Sequence, residues 1–254
     1  VSDTRYMLEL AYRGTAYAGW QRQPNARSVE EVIDTALGTV LGQPIKLVGC
    51  GRTDAGVHAS NYAAHFDYGG ALPPRLLGRL NRYLPEDIAL YRLYTVPGDV
   101  HARFSATGRT YVYRISYAKD PFRIDTVAWL PSLPDLDRTL MQRAADLLLE
   151  YGEFAPFCKT NSDAYTLRCS LTESRWEFGD TEMYYTVTAN RFLRGMVRLI
   201  VGMCLRVGSG RLTVADVRRA LDEQKRLAQP WSVPAGGLYL THVSYDRTSW
   251  ELSP

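Results

Sequence analysis

Apolar and polar positions alternate along this chain in a way that predicts short strands and amphipathic helices in a twice-repeated order. Residues 6–12 read as a strand, followed by a glycine-rich loop through Gly14 and Gly19. A helix opens at Ser28, where Glu31 stands at capping-box spacing. Its apolar face is Val32, Ile33, Ala36, Leu37, Val40 and Leu41, and Gly42 and Pro44 end it. Residues 45–50 and 62–68 read as strands, with a helix of about ten residues after Pro73-Pro74 and a closing strand over 88–95. The second half begins with an alternating strand over 110–117 and an amphipathic helix over 136–149. Residues 168–178 and 183–189 form an expected hairpin around Gly179-Asp180. Helices over 192–207 and 213–224 and a strand over 238–245 complete it.

Both halves thus read β-α-β-β-α-β, the second with an extra helix. The expected fold class is α+β: two ferredoxin-like units with mostly antiparallel sheets and helices packed against them. The expected division is 1–100 and 101–254, because Pro97, Gly98 and Gly108 interrupt the pattern between 96 and 108.

Composition narrows the class. None of the 254 residues belongs to an apolar run near the roughly 18 needed for a membrane span. The N-terminal residues show no basic patch leading into an apolar stretch, so a cytoplasmic protein is expected. Cys50, Cys158, Cys169 and Cys204 form no C-x-x-C pair, and His58, His65, His101 and His242 are scattered, so no metal is expected and each cysteine reads as a buried thiol. A net charge of +3 says little about partners. The kind of cation says more: of thirty basic residues only Lys46, Lys119, Lys159 and Lys225 are not arginine. Guanidinium groups grip phosphate at two points and stack on bases, although genomic base composition also enriches arginine.

Three stretches could carry chemistry. Gly51-Arg52-Thr53-Asp54-Ala55-Gly56-Val57-His58-Ala59 lies between two predicted strands and can present Arg52 and Asp54 to one ligand. A tight turn in which Asp54 bonds its own backbone is the competing reading. In Arg109-Thr110-Tyr111-Val112-Tyr113, alternation puts Arg109, Tyr111 and Tyr113 on one face, suited to base stacking and phosphate contact or to an ordinary half-buried strand. On the helix over 192–207, Arg194, Arg198 and Arg206, with Arg191 ahead of them, share one sector without a neutralising acid. That stripe fits phosphates, a carboxylate from elsewhere in the fold, or solvent.

These stretches carry a resemblance. The Gly51-to-Ala59 loop resembles the signature loop of the TruA family of tRNA pseudouridine synthases. Gly14-Thr15-Ala16-Tyr17-Ala18-Gly19-Trp20-Gln21 is similar to its N-terminal loop, and His101-Ala102-Arg103-Phe104-Ser105-Ala106 with the Tyr111 strand to its tyrosine strand. Phe192 through Gly202 is similar to its arginine helix, and Gly237-Leu238-Tyr239-Leu240 to its C-terminal strand. Asn61-Tyr62 stands where the family usually has Gly-Gln. The resemblance implies an isomerase that converts uridine to pseudouridine in the anticodon arm of tRNA, at positions 38–40, as a homodimer and without a cofactor. It implies Asp54 as the catalytic carboxylate, Arg198 as its partner and Tyr111 stacked on the target base. Arg52 would hold the flipped nucleotide, Leu238 would line the uracil pocket, and Arg109, Arg191 and Arg194 would bind substrate. A non-catalytic RNA-binding protein would need the arginines and tyrosines but not Asp54. A small-molecule enzyme would need Asp54 but no arginine stripe.

Overall fold

β1 (Thr4–Tyr12) runs antiparallel to β3 (His58–Tyr68) on one side and to β4 (Ile88–Val96) on the other. Successive residues of a strand point to opposite faces, and Met7, Leu8 and Leu10 are almost wholly buried, so both faces of β1 are covered. The computed structural model describes residues 3–131, 135–159 and 165–253. Val1 and Ser2, part of the N-terminal stretch considered above for targeting, lie outside them. The described residues form an α+β protein with mostly antiparallel strand pairing, grouped into two compact units, Val1–Gly108 with Tyr239–Pro254, and Arg109–Leu238.

The first unit follows the order β1, α1 (Val29–Leu41), β2 (Val48–Gly49), β3, α2 (Leu76–Tyr83), β4. Ser28 caps α1 by accepting from the Glu31 amide at 3.2 Å. The expected strand over 45–50 shrinks to β2, because the Leu47 amide donates to the Asp34 carboxylate on α1 rather than to a ladder. From the far end of the chain, β9 (Leu238–Ser244) pairs in parallel with the start of β3 and β10 (Glu251–Leu252) pairs with β4. Buried Glu9 on β1 meets Arg92 at 3.4 Å and Arg247 at 2.6 Å.

The segment between β4 and the next strand is tied to two imidazoles. His65 on β3 is 4% exposed and its Nδ1 accepts the Ala102 amide at 3.1 Å, while the His101 Nδ1 accepts the Arg103 amide at 3.1 Å. Burial, followed by the charge of Arg5 and the neighbouring His101, lowers the His65 pKa to about 4, with Asp67 opposing. An unfolded imidazole titrates near ~6.5. The stabilisation is therefore complete above about pH 6.5 and is lost as the pH falls towards about 4, where protonation removes the acceptor. We expect the His65 ring resonances to titrate near pH 4 in an NMR series, with faster Ala102 amide exchange at the acid end. An ordinary midpoint near ~6.5 would contradict this arrangement.

The second unit orders β5 (Gly108–Ser116), β8 (Glu182–Ala189) and β7 (Leu171–Phe178) in antiparallel pairing, with β6 (Ala128–Trp129) parallel to β5. α3 (Arg138–Leu147) packs against β7 and against α4 (Met196–Gly208) and α5 (Val214–Asp222). Thr213 and Asp216 close a full capping box at α5. The helix expected from residue 192 starts four residues later, at Met196. Gly195 takes φ +70°, a left-handed conformation that ends the preceding loop instead of continuing a helix. A Cβ there would lie 2.7 Å from the Lys159 side chain. The Asn190 side chain fastens this loop by accepting from the Ser170 and Arg191 amides. Arg191 and Arg194 therefore leave the predicted helical stripe, which keeps Arg198 and Arg206. Cys50, Cys169 and Cys204 are buried, whereas Cys158 is only half-buried.

Candidate active site

The loop between β2 and β3, and His58 just after it, are held by backbone groups of the loop after β1. The Trp20 amide donates to the Thr53 carbonyl at 3.3 Å, the Gly56 amide to the Tyr17 carbonyl at 3.3 Å, and the Gly14 amide to the His58 Nδ1 at 3.0 Å. Such contacts need bare backbone. A Cβ on Gly14 would stand 2.0 Å from the Val57 carbonyl oxygen, and one on Gly19, at φ +94°, 2.3 Å from that of Thr53. The two glycines of the N-terminal loop are thus the places where one loop presses on the other.

Side chains complete the support. The buried Thr53 hydroxyl is 2.8 Å from the Tyr12 hydroxyl. Tyr12, Trp20 and Tyr62 form an aromatic cluster, with the Trp20 and Tyr62 rings stacked at 4.0 Å. The Tyr62 hydroxyl donates to the Gly51 carbonyl. Tyr17 donates to Asp87 at 2.6 Å, which anchors the supporting loop in turn. Buried His58 stacks on Tyr239 of β9 at 4.7 Å. Asn61 lies within β3 and adopts no positive φ.

Asp54 sits half-buried at the head of a turn closed by its own carbonyl, which accepts from the Val57 amide at 3.1 Å. The tight turn of the competing sequence reading is therefore present. That turn is closed through the Asp54 main chain. Arg52 beside it is exposed. A half-buried acid on a loop braced from outside can keep one position while a ligand changes, as general-base or nucleophilic work requires.

The remaining candidates lie in the second unit. Tyr111 on β5 is half-buried, with its ring edge-on to Phe192 at 5.1 Å. The expected tyrosine face does not continue past it. Tyr113 is fully buried and donates to the Pro234 carbonyl at 2.8 Å, so it belongs to the core. Burial raises its phenol pKa, and nearby Arg198 opposes the shift. Arg109 donates to the Asn190 carbonyl at 2.8 Å. Arg198, on the first turn of α4, donates from Nε to the Val233 carbonyl at 2.7 Å. Arg194 is exposed, Arg191 half-buried and Leu238 buried. The structure places Asp54 and Arg52 in the first unit and Arg109, Tyr111, Arg191, Arg194, Arg198 and Leu238 in the second. Sequence reasoning missed Phe192 as the support of Tyr111 and Val233 as the anchor of Arg198. Phe192 reads as the first residue of the helix expected over 192–207, and a carbonyl acceptor leaves no side-chain signature.

A family model described as tRNA pseudouridine synthase matches residues 148–246. The tRNA pseudouridine synthase A of Porphyromonas gingivalis is 44% identical over 246 residues, covering 95% of this chain and 97% of that protein. The protein of the same name from Bacteroides thetaiotaomicron is 44% identical over 247 residues, covering 96% and 91%. That from Acetivibrio thermocellus is 35% identical over 239 residues, covering 94% and 98%. With identity of this degree along nearly the whole chain, this protein belongs to the tRNA pseudouridine synthase A family.

Proposed function

We propose that the protein isomerises uridine to pseudouridine in the anticodon arm of tRNA, with Asp54 as the catalytic carboxylate. The reaction breaks the N1–C1′ bond, turns the uracil and joins C1′ to C5. The C5 proton leaves to solvent and N1 gains one, so the atoms balance without an oxidant or reductant. The observation that carries the reading is the Asp54 loop, whose Thr53 carbonyl and Gly56 amide are fastened by Trp20 and Tyr17 and whose neighbour His58 accepts from the Gly14 amide, so that the acid stands on a braced backbone. Pseudouridine counted after nuclease digestion of unmodified tRNA incubated with the purified protein tests this. Its absence from the digest would overturn the reading.

In this reading Arg198 keeps Asp54 ionised and oriented, and Tyr111 stacks on the target base. Arg52 holds the nucleotide out of the helical stack, and Leu238 lines the uracil pocket. Arg109, Arg191 and Arg194 bind the surrounding RNA. The working form is a cytoplasmic homodimer, and each half of the chain is a ferredoxin-like unit. Arg198 donates from Nε to the Val233 carbonyl, and a planar guanidinium can make that contact and meet a carboxylate at once. A lysine cannot make both contacts. Arg198→Lys is expected to slow the bound complex about a hundredfold while tRNA affinity changes little. Single-turnover rates at saturating enzyme, beside filter binding, check this. A lysine variant with the wild-type rate would remove Arg198 from the site.

A further inference from the structure

Residues 100–119 carry Arg103, Arg109, Arg114 and Lys119 and no aspartate or glutamate. Within that run, residues 101–106 form a loop after β4 whose backbone is held from several sides. The His101 amide donates to the Ser105 hydroxyl at 2.9 Å, and the Ser105 amide returns to the His101 carbonyl at 2.9 Å. The two imidazoles take the Ala102 and Arg103 amides, Tyr245 donates to the Ala102 carbonyl, and Arg5 donates to the Val100 carbonyl at 3.1 Å. Ala102 is fully buried.

From this anchored loop Phe104 projects with 75% of its surface exposed. Its ring lies 4.4 Å from the His101 imidazole, and the Arg103 guanidinium carbon is 5.5 Å from its centroid. Leaving a phenyl ring in water forfeits the gain that burial would bring. The backbone is already fixed, so a ligand meeting this ring would not have to order the loop. An aromatic beside a guanidinium, in a stretch without acids, is how proteins hold unpaired bases and their phosphates.

We propose that Phe104 and Arg103 form an RNA contact outside the Asp54 loop, in which the Phe104 ring stacks on an unpaired base of the tRNA and Arg103 meets an adjoining phosphate. The proposal rests on tRNA being the substrate. It is tested in the full-length protein with Phe104→Ala, Phe104→Leu and Phe104→Tyr, each measured by filter binding to unmodified tRNA and by light scattering on a sizing column. Alanine and leucine are expected to raise Kd about tenfold, and tyrosine, which still stacks, less than about twofold. The rate at saturating enzyme should stay at the wild-type value. Arg103→Gln should lower the slope of log K against log salt by about 0.7 to 0.9. Wild-type affinity in Phe104→Ala, from a wild-type protein that modifies tRNA, overturns this contact alone. A changed particle mass in the alanine variant also overturns it, by making the loop a protein-binding surface. A wild-type protein that neither binds nor modifies tRNA overturns the substrate reading and this contact with it.

Discussion

Asp54→Asn is expected to bind tRNA with close to wild-type affinity and to lose at least about a thousandfold in single-turnover rate. Asparagine keeps the size of the side chain and much of its hydrogen bonding, and removes the anionic oxygen that can act as base or nucleophile. The loop should tolerate the change, because its shape rests on the Trp20-to-Thr53, Gly56-to-Tyr17 and Gly14-to-His58 bonds and on the main-chain turn at Asp54. Tritium release from C5-labelled uridine in tRNA gives the rate, and filter binding on the same samples gives the affinity. Circular dichroism first establishes that the variant is folded. Release at a near wild-type rate would make Asp54 a turn residue and end the proposed mechanism.

Gly19→Ala is the second substitution with a large expected effect, through packing rather than chemistry. The new methyl would lie 2.3 Å from the Thr53 carbonyl oxygen and 3.2 Å from the Asp54 carbonyl carbon, at φ +94°. Overpacking against backbone costs about 1–3 kcal/mol and the left-handed conformation about 1–2 kcal/mol, so a loss of about 2–5 kcal/mol is expected. Gly42→Ala supplies the comparison. It also has a positive φ, of +75°, but no atom within 4 Å of the added methyl. It should lose only the conformational part, about 1–2 kcal/mol. Urea unfolding of both variants measures the difference. Gly19→Ala should also turn over slowly wherever it remains folded, since relief of the clash moves the Thr53-Asp54 backbone. Equal stability losses in the two variants, with full activity in Gly19→Ala, would show that the two loops do not depend on each other.

The hydrophobic pattern was enough to place β1, α1, β3, α2 and β4 and the hairpin of β7 and β8, because each carries its own period and its own caps or breakers. It also marked a glycine-flanked loop from Gly51, although β3 begins at His58 rather than at residue 62, so that His58 and Ala59 belong to the strand. Local pattern failed where a distant atom decided the outcome. The strand expected over 45–50 shortened because Asp34, on another element, took the Leu47 amide. The arginine helix lost its first turn because Gly195 adopted a left-handed angle against Lys159, and glycine is equally compatible with both conformations in isolation. Tyr113 shares the alternation of Tyr111 yet lies in the core, since the period of a strand fixes which face a residue occupies but not what covers that face.

The candidate site divides in the same way. Asp54, Arg52, Tyr111 and Arg198 were legible as residue types in motifs. Gly14 and Gly19 could be read as members of a glycine-rich loop similar to the family's N-terminal loop. Their purpose, to let one backbone lie against the Thr53 and Val57 carbonyls, exists only once residues about forty positions apart are brought together. The Val233 carbonyl under Arg198 and the imidazole acceptors under residues 101–106 are likewise supplied by the tertiary structure. Sequence by itself determined which groups are available and the local geometry of each segment. Tertiary structure decided which amides and carbonyls met, because a main-chain hydrogen bond depends on position and is almost blind to the side chain beside it.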